Sequence, residues 1–165
     1  MCEPAPNELV ILGIGNDSRG DDGLAWAFLD ALEGDPHLQA QLLYRYQLQP
    51  EDADAIAQAK TVVFVDATKD PLERGFHWQS GLPERQPQVH SHWLPPSAVL
   101  GLCQEVFGTC PEAYILAISG EQWELGQGLS VPAKKRLKAA LRFFRQWLLL
   151  SSSLNPAHTT FLPPR

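Results

Sequence analysis

Several large functional classes are excluded by what this chain lacks. It has no run of about 18 apolar residues, so no membrane-spanning helix is expected. Its start, Met1-Cys2-Glu3-Pro4, has neither the basic residues nor the apolar core of a signal peptide, so a cytoplasmic location is expected. Three cysteines, Cys2, Cys103 and Cys110, make an odd set without a CxxC, which argues against a disulfide framework. Cys103 and Cys110 read as fillers without a catalytic partner. The 13 basic residues against 19 acidic ones disfavour nucleic acid, which requires a basic face. The one basic group, Lys134, Lys135, Arg136 and Lys138, reads as a solvated helix face. The phosphate-binding patterns GxGxxG and GxxxxGK[ST] fail, and so does the nucleophile elbow GxSxG.

At 165 residues the chain is most simply one domain, placed at residues 1–150, followed by a Ser-, Pro- and Thr-rich tail at 151–165. The stretch that organises it is Val10 to Gly23. An apolar strand, Leu9 to Ile14, stops at a glycine-rich loop, the loop ends in Asp21 and Asp22, and an amphipathic helix over Leu24 to Leu32 follows. Either acid is expected at the helix N-cap or in its first turn. A second strand is expected over Leu42 to Leu48 and a short helix from Pro50 to Ala59. The β-branched strand Thr61 to Val65 is expected to end at Asp66. An edge strand at Phe76 to Gln79, a long loop over 80–92, a helix from Pro95 to Phe107 and a strand over Ala113 to Ile118 follow. The last helix is expected from Ala133 to Leu149, with Ser130 as its N-cap. Strands alternating with helices predict a three-layer α/β/α sandwich around a twisted, mainly parallel sheet of about five strands.

Ligand sites of open α/β sheets lie beyond the carboxyl ends of the strands. Asp22 and Asp66 fall there from separate strands. His90 and His92 precede a helix that begins at the same edge. Two carboxylates and an imidazole suit a divalent transition ion with open positions, and are too few for calcium. Each residue also has a plainer reading: a helix or turn cap for the acids, an exposed loop residue for the histidines. Asn16 either positions a substrate or holds the loop through its own side chain. A small nucleotide-binding module is a further, weaker reading of the glycine loop. Five tryptophans, Trp26, Trp78, Trp93, Trp123 and Trp147, are numerous for this length; one or two are expected on the surface.

The pattern Gly13-x-Gly15-Asn16-x-x-x-Gly20-Asp21-Asp22-Gly23 resembles the opening motif of the hydrogenase maturation proteases. Val62-Val63-Phe64-Val65-Asp66-Ala67 is similar to that family's strand ending in Asp-Ala. Ser91-His92 before an apolar helix is similar to its histidine segment. Ala117-Ile118-Ser119-Gly120, Glu124-Leu125-Gly126 and Leu129-Ser130 form a weaker fourth match. The resemblance spans residues 9–148. It implies a cytoplasmic endopeptidase that trims the C-terminus of the nickel–iron hydrogenase large-subunit precursor after nickel insertion. It also implies a catalytic and metal-binding trio of Asp22, Asp66 and His92, with nickel supplied by the precursor and zinc or cadmium able to take its place. Neither nucleic acid nor membrane is an implied partner. The polar loop 17–20 and the stretch Gln47-Leu48-x-Pro50-Glu51 resemble the branch serving bidirectional, cofactor-reducing hydrogenases. In the family the first ligand is commonly Glu; Asp22 is shorter by one C–C bond, roughly 1.5 Å. The competing reading from the same trio is a nickel-sensing chaperone or checkpoint that binds the precursor without cutting it.

Overall fold

The computed structural model describes residues 8–86 and 93–154. Strand β1 (Leu9–Ile14) leads through a 3₁₀ turn (Gly20–Gly23) into α1 (Leu24–Leu32). Then come β2 (Gln41–Arg45), α2 (Asp52–Ile56), β3 (Thr61–Thr68), β4 (Phe76–Gly81), α3 (Pro96–Phe107), β5 (Glu112–Ser119) and α4 (Val131–Leu154). The strands form one five-stranded sheet in the order β2-β1-β3-β5-β4. All pairings are parallel except that of the edge strand β4 with β5.

Both faces of the sheet are covered, which is why its central strands are nearly continuous in apolar residues. Alternate residues divide between two cores. Ile11, Val63, Val65, Leu116 and Ile118 pack under α1 and α4 with Phe28, Leu29 and Phe144. Val10, Leu12, Val62 and Phe64 pack under α2 and α3 with Ile56, Val99, Leu100 and Cys103. The period-2 alternation of strand side chains sets this division. The expected α/β sandwich and its five-stranded sheet are therefore present.

Several boundaries differ from the sequence expectation, each for a pairing or packing reason. Strand β3 continues past Asp66, because Asp66, Ala67 and Thr68 pair with Ala117, Ile118 and Ser119 of β5. Strand β2 stops at Arg45, where its register with Ile14 of β1 ends. The Arg45 Nε–Asp52 Oδ1 ion pair, at 2.8 Å, then turns the chain into α2. Helix α4 continues to Leu154, past the expected end at Leu149. At its other end Ser130 is the expected cap: its Oγ accepts from the Ala133 amide at 3.2 Å. No helix among the described residues is long and apolar enough to cross a membrane.

Phe144 is fully buried and meets Phe28 edge-on with ring centroids 5.3 Å apart, tying α4 to α1. Phe144→Ala is expected to cost about 3–5 kcal/mol, the usual range for deleting a buried ring. A urea denaturation midpoint shifted by less than a third of that would show that α4 is not part of the cooperative core.

Candidate active site

The sheet is stepped at its carboxyl edge. Ile14, the last residue of β1, lies opposite Asp66 of β3, whereas β3 and β5 run on beyond it. Asp66 belongs to the same alternation as Val62 and Phe64, so it leaves the sheet on the face covered by α2 and α3. Its Oδ1 accepts from the Ala67 amide at 2.8 Å.

After β1 the chain folds back tightly. Gly15 has φ +148°, and a Cβ there would lie 2.0 Å from the Asp22 carbonyl oxygen. The Asn16 amide donates to that same oxygen at 3.1 Å. Asn16 Oδ1 accepts from the amide and hydroxyl of Ser18, so this oxygen is committed to holding the loop.

The two adjacent acids then part company. Asp21 is completely buried. Its Oδ2 accepts from the amides of Glu121 (2.7 Å) and Gln122 (3.0 Å) and from Ser130 Oγ (2.7 Å). Its Oδ1 accepts from the Ser130 amide at 2.7 Å. Backbone bonds from the amides of Gly20 to Gln127 O and Asp21 to Gln122 O reinforce the junction. The expectation that either acid sits at the N-cap of α1 or in its first turn is thus not met: Gly23 is the N-cap, both acids lie in the preceding 3₁₀ turn, and Asp21 instead braces the distant loop 120–130.

Asp22 faces the other way. It lines a cavity of about 340 Å³ together with Asp66. Arg19 and Lys69 border the same cavity, and Tyr46, Trp93 and Trp123 supply its aromatic walls. Among the described residues no third His, Cys, Asp or Glu completes a metal site with these two acids. His90 and His92 lie outside the described residues; Trp93, the first described residue after them, lines the cavity.

No protein-family model and no curated protein matches the sequence. Solved structures do. The [NiFe] hydrogenase maturation protease HycI from Thermococcus kodakarensis KOD1 superposes with a TM-score of 0.66 at 26% identity, covering 87% of this chain and 93% of that one. This is the hydrogenase maturation protease fold. The hydrogenase maturating endopeptidase HybD from E. coli gives a TM-score of 0.68 at 20% identity over 87% of this chain and 93% of its own. The endopeptidase HycI from E. coli gives 0.63 at 19% identity over 85% and 90%.

On this maturation-protease scaffold the two cavity acids share an electrostatic problem. Burial pushes Asp66 from 3.8 up to about 7; the Ala67 amide opposes the shift and the Asp22 charge adds to it. Burial also raises Asp22, with Arg19 and Lys69 pulling against it. Desolvation acts on Asp21 as well, but its four hydrogen bonds outweigh it and hold the carboxyl below the usual value. A divalent cation between Asp22 and Asp66 would relieve both the desolvation and the mutual repulsion, so the donor chemistry fits a metal.

Sequence reasoning missed several contributors. Arg19 and Lys69 carry no motif, and their placement depends on two loops meeting. Arg136 is not merely part of a solvated face: its guanidinium donates to Ser119 O (3.2 Å) and Glu121 Oε1 (2.7 Å), clamping the loop after β5. Lys134, Lys135 and Lys138 are exposed as expected. Of the tryptophans, Trp78 and Trp147 lie in one aromatic stack, with centroids 5.0 Å apart. Trp93 is 60% exposed, on the cavity rim. Cys103 is a buried core residue, as expected.

Asp21→Asn is expected to destabilise the fold by about 2–4 kcal/mol, because an amide nitrogen would face a backbone donor. Asp22→Asn should change stability by no more than about 1 kcal/mol. Urea denaturation of the pair checks this, and equal losses would refute the division of roles.

Asp66 generates a pH prediction. Its folded pKa lies above its unfolded one, so its contribution is fully present below about pH 4 and is lost as pH rises through about 7. In chelator-treated protein, Asp66→Asn keeps the acceptor for the Ala67 amide. The variant should raise Tm by roughly 3–6 °C at pH 8 and have little effect at pH 4. An equal shift at both pH values would contradict the raised pKa.

Proposed function

We propose that this protein is an endopeptidase that removes the C-terminal extension of a nickel–iron hydrogenase large-subunit precursor once nickel has been inserted. The observation that carries the reading is the convergence of Asp22 and Asp66 on one cavity, in a fold shared with structures named as hydrogenase maturation proteases. We assign His92 as the third member of the site, with nickel arriving on the precursor rather than residing in the enzyme. The resemblance of loop 17–20 and of Gln47-Leu48-x-Pro50-Glu51 to the corresponding branch supports a bidirectional, cofactor-reducing hydrogenase as the partner.

Peptide hydrolysis requires a polarised carbonyl and an activated water. Nickel bound beside the scissile bond supplies one or both. The chain's own residues do the rest. Asp22 and Asp66 would hold the substrate-borne ion through their carboxylate oxygens. A carboxylate oxygen left free by the ion could take a proton from the attacking water. Trp93 and Trp123 supply apolar surface beside the two carboxylates.

The test is cleavage of nickel-loaded and nickel-free precursor, read as mass loss at its C-terminus. Wild-type protein should cut only the loaded form, and Asp22→Ala, Asp66→Ala and His92→Ala should each lose activity by about 100-fold or more. Nickel-dependent binding without mass loss would replace the protease with a non-catalytic checkpoint.

A further inference from the structure

The cavity holds two cations that the trio does not use. Arg19 comes from the loop after β1 and Lys69 from the residue after β3, so two separate elements bring them to one wall. Both are exposed, and among the described residues neither forms an ion pair with an acid. Lys69 is held in place without a counter-ion, its Nζ lying 5.5 Å from the centroid of the Trp123 ring. Trp123 in turn belongs to the loop that Asp21 braces. Lys69 is therefore positioned by the same junction that turns Asp22 toward the cavity.

Charge balance shows what this arrangement can accept. When both aspartates are ionised, Asp22 and Asp66 balance Arg19 and Lys69 in the lining of one cavity. Once a divalent ion sits on the two aspartates, their charge is cancelled and both cations are left uncompensated. A concave, partly apolar site with two free cations binds an anion, and an arginine beside a lysine favours the planar carboxylate.

We propose that Arg19 and Lys69 form an anion subsite that holds a carboxylate of the precursor's C-terminal segment while the neighbouring aspartates hold its metal. This rests on the protease reading above and deepens it. Entry of the metal and recognition of the carboxylate reinforce one another, because each removes the charge that opposes the other. The carboxylate belongs either to an acidic side chain of the extension or to its terminal α-carboxyl group.

The experiment uses the whole protein and the whole precursor. Initial association of nickel-loaded precursor is measured by biolayer interferometry at two salt concentrations, beside nickel-free precursor, which should bind more weakly. Cleavage of nickel-loaded precursor is followed in parallel. Arg19→Met and Lys69→Met should each weaken binding about 5- to 10-fold, and the double variant about 50-fold, with a shallower salt dependence. In cleavage the loss should fall mainly on KM, and Lys69→Arg should restore most of it. Tm should be unchanged, since both side chains are exposed.

Precursor variants separate the two sources of the carboxylate. Replacing the extension's Asp and Glu by Asn and Gln reproduces the loss if a side chain is read. Appending Gly-Ser-Gly to the C-terminus reproduces it if the α-carboxylate is read. Wild-type protein that binds and cuts the precursor, beside cation variants that do so equally well, would overturn the subsite and leave the protease reading standing. Full binding by a precursor that carries both changes, the acidic side chains neutralised and the terminal carboxylate displaced, would do the same. Wild-type protein that neither binds nor cuts would remove both.

Discussion

A buried carboxylate organises the functional end of this molecule. Asp21 has no solvent exposure. An ionised group in that position would be strongly unfavourable without partners. Four donors satisfy it, and every one comes from residues about a hundred positions away, in loop 120–130 and at the start of α4. Ser130 does double work: its amide and hydroxyl donate to Asp21, and its Oγ also accepts from the first turn of α4. The 3₁₀ turn, the loop after β5 and the last helix are thereby fixed against one another. Close packing adds to this. Gly20, at φ +56°, lies so near the Gln122 carbonyl that a Cβ there would approach it to 2.4 Å.

The consequence for function lies in the next residue. With Asp21 turned inward, Asp22 points to the opposite side of the turn, where the step between β1 and β3 leaves a cavity. Two acids adjacent in sequence therefore have opposite electrostatic fates. Donors hold the Asp21 carboxyl below its usual value, and burial lifts that of Asp22. Asp66 carries the larger burden, being desolvated and facing a like charge. A pair of carboxylates in that condition gains most from a cation, which is the physical basis for reading the cavity as a metal-accepting site rather than a structural ion pair.

Much of this was legible in the sequence. The bounds of β1 and α1 follow from an apolar run and from helical spacing, both local signals. That Asp22 and Asp66 share one edge follows from the parallel βαβ connection, which carries strand ends to the same side. The function of Asp21 was not legible, because nothing local marks a carboxylate whose partners lie across the fold. For the same reason nothing local distinguishes Arg136 from a surface residue or marks Lys69. The β-branched run stops at Val65, so the sequence signal ends the strand at Asp66. In the structure β5 pairs beyond it, and the break in pairing occurs on the other side, at Ile14. Asn16 divided evenly between two readings, and the structure shows a loop-holding bond to its oxygen. His92 falls outside the described residues.

The turn carrying Asp22 is packed directly on the end of β1. Its carbonyl accepts from the Asn16 amide, and only a residue without a Cβ fits at position 15. The polar loop 17–20 belongs to this arrangement too: Gly126 donates its amide to Ser18 O at 2.9 Å, so the loop is drawn toward segment 120–130 rather than packed by aliphatic side chains. Position 22 is thus governed by the backbone around it, and the identity of the acid cannot be judged apart from the glycine that lets it approach.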